Sequence, residues 1–214
     1  MKDLIDIKNI KVVIFDLCGV LINVAWENMD EVLQKNHVKI PMDVFRKTSE
    51  EVFQFHKYNT IEEGVDIFLE RLELQNNDPL RKTQIEFLNN WGTLSKPNPG
   101  GISLLKFVKK HDLKTAVLSN AFPVKEAWKT EWDINTIDKF FFSYDTKVAK
   151  PEKQAFLNVI NYFNVRPEEC LMIGDSNRKD IEPAKSIGMK TLYFKKLGRA
   201  IPLSILEPVV AKGF

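Results

Sequence analysis

The sequence predicts an α/β fold, a parallel sheet with helices on both faces, joined to a separate helical module. Three features predict it. A short β-branched and aromatic run, "IKVVIF" at residues 10–15, stops at Asp16 and Gly19, as a buried strand feeding a turn would. From residue 23 to residue 98 the spacing is helical, and no strand-like run interrupts it. Beyond the breaker cluster "SKPNPGG", residues 95–101, helical and strand-like stretches alternate.

The elements follow in order. Helical spacing runs through "WENMDEVLQKN", "MDVFRKTSEEVFQFHK", "IEEGVDIFLERLEL" and "DPLRKTQIEFLNNW", with Ser, Thr, Asp or Asn near several of the helix starts, as capping requires. A helix at "GISLLKFVKKH" then leads to a strand at "LKTAVLSN", and a helix near "VKEAWKTEW" to a strand at "KFFFSYD". The helix "EKQAFLNVINYF", the strand "CLMIGD", the helix "RKDIEPAKSIG" and the strand "MKTLYF" complete the alternation. We therefore expect a core domain of residues 1–22 and 99–214 and a helical domain of residues 23–98.

Composition narrows the function classes. The 31 basic residues nearly balance the 29 acidic ones, so the net charge of +2 leaves no excess to hold a nucleic-acid backbone or an anionic membrane. Cys18 and Cys170 form no disulfide framework and no CxxC spacing, which suits a reducing compartment. The stretch "MKDLIDIKNIK" has no continuous apolar segment, and no run approaches the roughly 20 residues that span a bilayer. These features predict a soluble, cytoplasmic protein, monomer or homodimer. The apolar tail "LSILEPVVAKGF" is read as docking on the core, with a dimer contact as the alternative.

In an open parallel sheet, ligands bind at the carboxyl ends of the strands. Those ends carry Asp16, Ser119 with Asn120, Asp145 and Asp175. One such Asp is as a rule a helix cap. Two acids on two strands, with a hydroxyl on a third, suggest a shared divalent cation, since Mg²⁺ favours a few carboxylates and several waters. Asp180, in the first turn of the next helix, either supports that metal or is an ordinary N-terminal helix charge. A carboxylate attacking phosphorus needs cationic help, which Lys150 is placed to give, with Pro151 expected in a first helical turn.

Taken together, these stretches resemble the haloacid dehalogenase superfamily. "FDLCGVL" is similar to its motif I, "TAVLSN" to motif II, "KVAKPEKQAF" to motif III and "CLMIGDSNRKDIEPAKSIGMKTLYF" to motif IV, in the right order across nearly the whole chain. The resemblance implies a Rossmann-like core with a small α-helical cap between motifs I and II. It implies Asp16 as the nucleophile that forms an aspartyl-phosphate and also binds Mg²⁺, with Asp175 as a further metal ligand. Asp180 would stand behind the metal, and Cys18 would contribute its backbone carbonyl. Ser119 and the Asn120 backbone N–H would hold a phosphoryl oxygen, and Lys150 would neutralise charge. The chain departs from the pattern at Lys179, where many relatives have Asn, and at Pro183, where many have Gly.

Its main departure is Cys18, where most phosphatases of the superfamily carry a second Asp for acid–base catalysis. That help is typically worth ~10²–10⁴-fold. A thiol with a reference pKa near ~8.5 donates a proton weakly and is a poor base at neutral pH. One reading is a Mg²⁺-dependent phosphatase of small phosphorylated metabolites, sugar phosphates among them, with relaxed acid–base catalysis. A 2-haloacid dehalogenase would tolerate Cys18, but such enzymes typically lose the acid that stands here as Asp175. A third reading is a catalytically impaired protein that binds a phosphorylated ligand. A phosphonatase would need a Schiff-base lysine, to be sought among Lys35, Lys39, Lys47 and Lys57. Cys18 itself reads as a small residue in a tight turn. Among Trp26, Phe53, Phe55, His56, Tyr58 and Trp91, Trp26 is the first choice to face a substrate.

Overall fold

A computed structural model describes residues 9–23, 29–122, 134 and 136–194. Five parallel strands form the sheet: β1 (Val12–Phe15), β4 (Lys114–Ser119), β5 (Lys139–Phe142), β6 (Cys170–Gly174) and β7 (Lys190–Tyr193). Their spatial order is β5-β4-β1-β6-β7. The chain fills one side of β1 and then the other, so the connection order reverses at β1, where open α/β sheets form their crevice.

Burial on both faces explains the unbroken apolar runs. All four residues of β1 and all five of β6 are buried. Period-two alternation sends Val13 and Phe15 to one face, Val12 and Ile14 to the other. On the first face they meet Leu104, Leu105 and Val108 of α5 (Pro99–Lys110). On the second they meet Phe156, Val159 and Ile160 of α7 (Lys153–Phe163). The helix starts follow local chemistry. Thr60 accepts the Glu63 N–H with its side chain, and Asn98 accepts the Gly100 N–H ahead of Pro99.

Among the described residues, four helices occupy the stretch between β1 and α5: α1 (Met29–Lys35), α2 (Met42–Phe53), α3 (Ile61–Arg71) and α4 (Asp78–Leu94). Their buried residues continue the core of the first sheet face, and among them fully buried Phe68 takes Phe45 edge-on at 5.0 Å and Phe53 at 5.5 Å. Two short strands join this insertion to the sheet. β2 (Ile22–Asn23) pairs antiparallel with β3 (Lys96–Pro97), so the chain leaves and returns side by side. That pairing lies partly in the stretch read from sequence as a plain breaker cluster.

Three expectations need correction. The strand expected through Asp145 ends at Phe142, opposite Ser119, because β4 offers no further partner; residues Ser143–Thr146 (α6) form a helical turn instead. Pro151 does not enter a helix: the Lys150–Pro151 peptide is cis, and α7 begins at Lys153. The helix expected at 178–188 opens as a π-helical turn, Asn177–Ile181, and becomes α-helical as α8 (Glu182–Ser186). Pro183 has no N–H to bond back one turn, and the wider turn accommodates its ring. The helix expected near "VKEAWKTEW" and the apolar tail lie outside the described residues. Among the described residues no helix is long and apolar enough to cross a membrane.

Candidate active site

Asp16 follows the last residue of β1, and its backbone N–H still donates to Ile173 O of β6 at 2.8 Å. The chain then doubles back, with Leu21 and Ile22 N–H both donating to Leu17 O at 3.0 Å. Gly19 is needed in this turn for two reasons. Its φ is +90°, and a Cβ there would lie 2.0 Å from Asp175 Oδ2. The turn backbone is thereby brought against the Asp175 carboxylate at the end of β6. Gly174 does the same for Asp180, whose carboxylate occupies the space a Cβ would fill.

Carboxylate oxygens of Asp16, Asp175 and Asp180 all lie within 4.8 Å of one another. Lys150 Nζ stands among them, 2.8 Å from Asp16 Oδ1 and 2.6 Å from Asp180 Oδ1. Asp16 Oδ1 also accepts the Leu17 N–H at 2.8 Å, and Asp180 Oδ2 accepts the Ser176 N–H at 3.0 Å. Asp16, Lys150 and Asp180 are all buried. Burial pushes Asp16 up to about 6; Lys150 pulls the other way, and the charges of Asp180 and Asp175 add to the rise. Burial disfavours the Lys150 ammonium, but the Asp16 and Asp180 carboxylates outweigh it and hold Lys150 above the usual lysine value.

Lys150 offsets part of the negative charge of Asp16 and Asp180, and a cation held beside Asp16 and Asp175 would offset more of the cluster. The donor set is all oxygen, as hard divalent cations prefer. Asp16 and Asp175 are the members best placed to hold an ion, because both Asp180 oxygens are already engaged.

The side chain of Asn120 does something sequence reading did not anticipate. Its Nδ2 donates to Lys150 O and its Oδ1 accepts the Lys150 N–H, each at 2.8 Å. This pair of bonds fixes the Lys150 backbone to the end of β4. Ser119, the last residue of β4, is buried and lines the same cavity. Cys18 is half-buried and also lines it, whereas Cys170 is buried, its thiol pushed up to about 12 by burial and the nearby Glu169.

The cavity measures about 550 Å³ and is bounded on its far side by α2 and α4 of the helical insertion. Met42, Phe45, Arg46, Ser49, Glu50, Phe53 and Gln54 face it, a helical i, i+3, i+4 stripe. Lys179 Nζ pairs with Glu50 at 3.1 Å, joining the insertion to the sheet domain at the rim. Asp145, read from sequence among the strand-end acids, does not line the cavity; it pairs with Lys57 at 3.7 Å. Of the aromatic residues singled out from sequence, Phe53 lines the cavity, and Phe55, His56 and Tyr58 do not. Trp26 and the Trp91 side chain lie outside the described residues. Lys35, Lys39, Lys47 and Lys57 are not among the lining residues, so no described lysine of the insertion is placed for phosphonatase chemistry.

A strand-end nucleophile candidate, a buried lysine and an acid cluster under a helical insertion define a family, and comparison with known proteins identifies it. The model of the haloacid dehalogenase-like hydrolases matches residues 10–188. The chain belongs to that family. It is 30% identical over 200 residues to the glyceraldehyde 3-phosphate phosphatase of Pyrococcus furiosus, covering 88% of this chain and 82% of that protein. To the phosphorylated carbohydrates phosphatase of Thermotoga maritima it is 31% identical over 137 residues, 61% of this chain and 62% of that one. Its fold matches that of a haloacid dehalogenase family enzyme from Bacteroides thetaiotaomicron with a TM-score of 0.65 at 23% identity, covering 86% and 93% of the two chains. That enzyme has also been solved with magnesium and inorganic phosphate. The expected hydrolase class and Rossmann-like fold both hold.

Proposed function

We propose that this member of the family is a Mg²⁺-dependent phosphatase of small phosphorylated metabolites, sugar phosphates among them, acting through an aspartyl-phosphate on Asp16. One observation carries the reading. Asp16 lines the cavity together with Asp175, Ser119 and Lys150, and its Oδ1 is held by both Lys150 and the Leu17 N–H, with no donor to Oδ2 among the described residues. The names of the relatives from Pyrococcus and Thermotoga point to the same substrate class.

In this reading the helical domain, residues 23–98, is a cap over the core of residues 1–22 and 99–214. Asp16 and Asp175 would hold Mg²⁺, with Cys18 adding its carbonyl and Asp180 behind them. When bound, the ion supplies charge stabilisation to the phosphoryl group. Asp16 Oδ2 attacks phosphorus, forming the O–P bond while the ester O–P bond breaks. The departing alkoxide takes a proton from water or, weakly, from the Cys18 thiol. Water then attacks phosphorus as the Asp16 O–P bond breaks, its proton passing to the Cys18 thiolate where that thiol has given one up and otherwise to solvent water, so that inorganic phosphate leaves and the Asp16 carboxylate is restored. Ser119 and the Asn120 N–H hold a phosphoryl oxygen, and Lys150 offsets charge on nucleophile and phosphoryl group throughout.

The test is phosphate release from a broad panel of phosphate esters, with Mg²⁺ and with chelator, comparing the wild type with Asp16→Asn. The expected result is release that needs both the metal and Asp16, strongest on small sugar phosphates. Release that survives chelator or Asp16→Asn overturns the mechanism. No release from any ester, with turnover of 2-haloacids, would make the chain a dehalogenase.

A further inference from the structure

The phosphoryl end of a substrate is accounted for by residues at the strand ends; nothing above assigns what reads the rest of the molecule. Gln54 stands out among the residues facing it. It terminates α2, with its backbone N–H donating to Glu50 O at 3.0 Å. Its neighbour Phe53 is buried against Phe68 and packs edge-on against Phe122 at 5.8 Å, so the end of the helix is held in place from both sides. The residue itself is 7% exposed and lines the cavity. Its side-chain amide has no hydrogen-bond partner among the described residues. The amide is not among the buried polar atoms that lack a partner, so it is open to water in the cavity, which a substrate hydroxyl would replace. A well-anchored amide that is open to a substrate cavity and makes no bond to the described residues is therefore a candidate for pairing with substrate.

We infer that Gln54 is the specificity-determining residue of the cap and that it reads a hydroxyl on the carbon chain of the leaving group, an inference that rests on the phosphatase reading above. The amide both donates and accepts, and so does a hydroxyl, so the two satisfy each other. The surrounding Phe45, Phe53, Phe87 and Leu88 offer C–H and ring surface to a short carbon skeleton. Phe53, Leu88 and Phe122 also form the wall shared with a neighbouring cavity, and this wall limits how long that skeleton can be. The substrate class is a monophosphate ester of a short hydroxylated chain, as opposed to an alkyl phosphate of the same length. A site built to bond a hydroxyl discriminates against its absence far more than a purely apolar site does.

Glycerol 3-phosphate and propyl phosphate differ only in their hydroxyl groups, and with Mg²⁺ present their kcat/KM ratio is the readout. The wild type should favour glycerol 3-phosphate by at least about tenfold. Gln54→Met, nearly isosteric and without hydrogen-bonding groups, should lower that ratio by about tenfold or more while changing propyl phosphate turnover by less than about threefold. Gln54→Asn, one methylene short, should show the same fall and serves if the Met variant melts early. An unchanged ratio in a folded variant overturns the role of Gln54, as does equal loss on both esters, which would mark a structural residue. If the wild type releases phosphate from neither ester nor from an aryl phosphate, the phosphatase reading falls and this inference falls with it.

Discussion

At the amino ends of the strands, Asp138 accepts the N–H and hydroxyl of Thr115 at 2.8 and 2.7 Å and pairs with Lys109 at 3.1 Å. Nearby, Glu169 accepts the Arg166 N–H at 2.8 Å and pairs with Lys11 at the same distance. Partial burial works against Asp138, but these bonds outweigh it and hold the carboxyl down at about 2; Glu169 is held at about 2 by the Arg166 N–H and Lys11. At the carboxyl ends, Asp16 shares the Lys150 ammonium with Asp180, stands beside Asp175, and is pushed up to about 6 by burial. The same sheet thus carries carboxyls held low by their donors at one end and, in Asp16, one pushed up by burial at the other. The first set holds strands together. In the second, burial and the neighbouring acids disfavour the charge on Asp16, and a bound cation would favour it.

The largest effect that should separate the two ends comes from removing one lysine at each. Lys150→Met leaves Asp16 and Asp180 buried without their partner, and breaking such a pair typically costs about 3–5 kcal/mol. It should also lower phosphate release by about 10²–10³-fold, the usual loss for one charge-stabilising donor. Lys109→Met should cost about 1 kcal/mol or less, because Lys109 is 34% exposed and Asp138 keeps its bonds to Thr115. Urea unfolding of the two variants side by side is the measurement. Equal losses would mean that Lys150 does not offset the acid cluster.

A smaller change adds a negative charge at the end where three acids already cluster. Cys18→Asp restores an acid–base group and should raise Mg²⁺-dependent release by about 10²-fold, within the range that such groups contribute. The same substitution should lower the melting temperature in chelator, since it places a fourth carboxylate beside the other three. A faster enzyme with unchanged metal-free stability would show that position 18 lies outside their field. An unchanged rate would show that the leaving group draws its proton from elsewhere.

The difference between the two ends also governs what could be read without coordinates. Asp16, Asp175, Asp180 and Lys150 were legible because strand ends and helix starts are marked by composition, and the sheet brings such ends together. Residues acting across the chain were not. Asn120 fixes the Lys150 backbone over a separation of 30 residues, and no local pattern announces it. The cavity face of α2 mixes Phe45 and Phe53 with Arg46, Ser49 and Gln54, so it reads as an unremarkable amphipathic helix until α4 and the strand ends close the space opposite. Asp145 misled because aromatic residues continue past the point where β4 stops offering partners. The π-turn at Asn177–Ile181 had a visible cause in Pro183, yet its width depends on the turn above it.

The smallest effect is a pair of opposite shifts in chelator at neutral pH. The Asp138 carboxyl lies lower in the folded state, at about 2, than its ordinary 3.8. The unfolded chain therefore binds the proton first, and the stability Asp138 contributes is present above about pH 4 and lost as pH falls through about 2. Asp138→Asn should lower the melting temperature by about 2–4 °C at pH 7, a loss near 1 kcal/mol kept small by its 25% exposed side chain. The gap from wild type should close as pH falls from about 4 toward 2. Asp16 has the reverse sign, because its folded value lies above 3.8, so its charged form opposes folding above about pH 6. Asp16→Asn should therefore raise the metal-free melting temperature at pH 7 by about 2–4 °C, and that gain should shrink as pH falls from about 6 to 4. If both Asn variants move the melting temperature in the same direction, the two ends of the sheet do not differ in the way their charges imply.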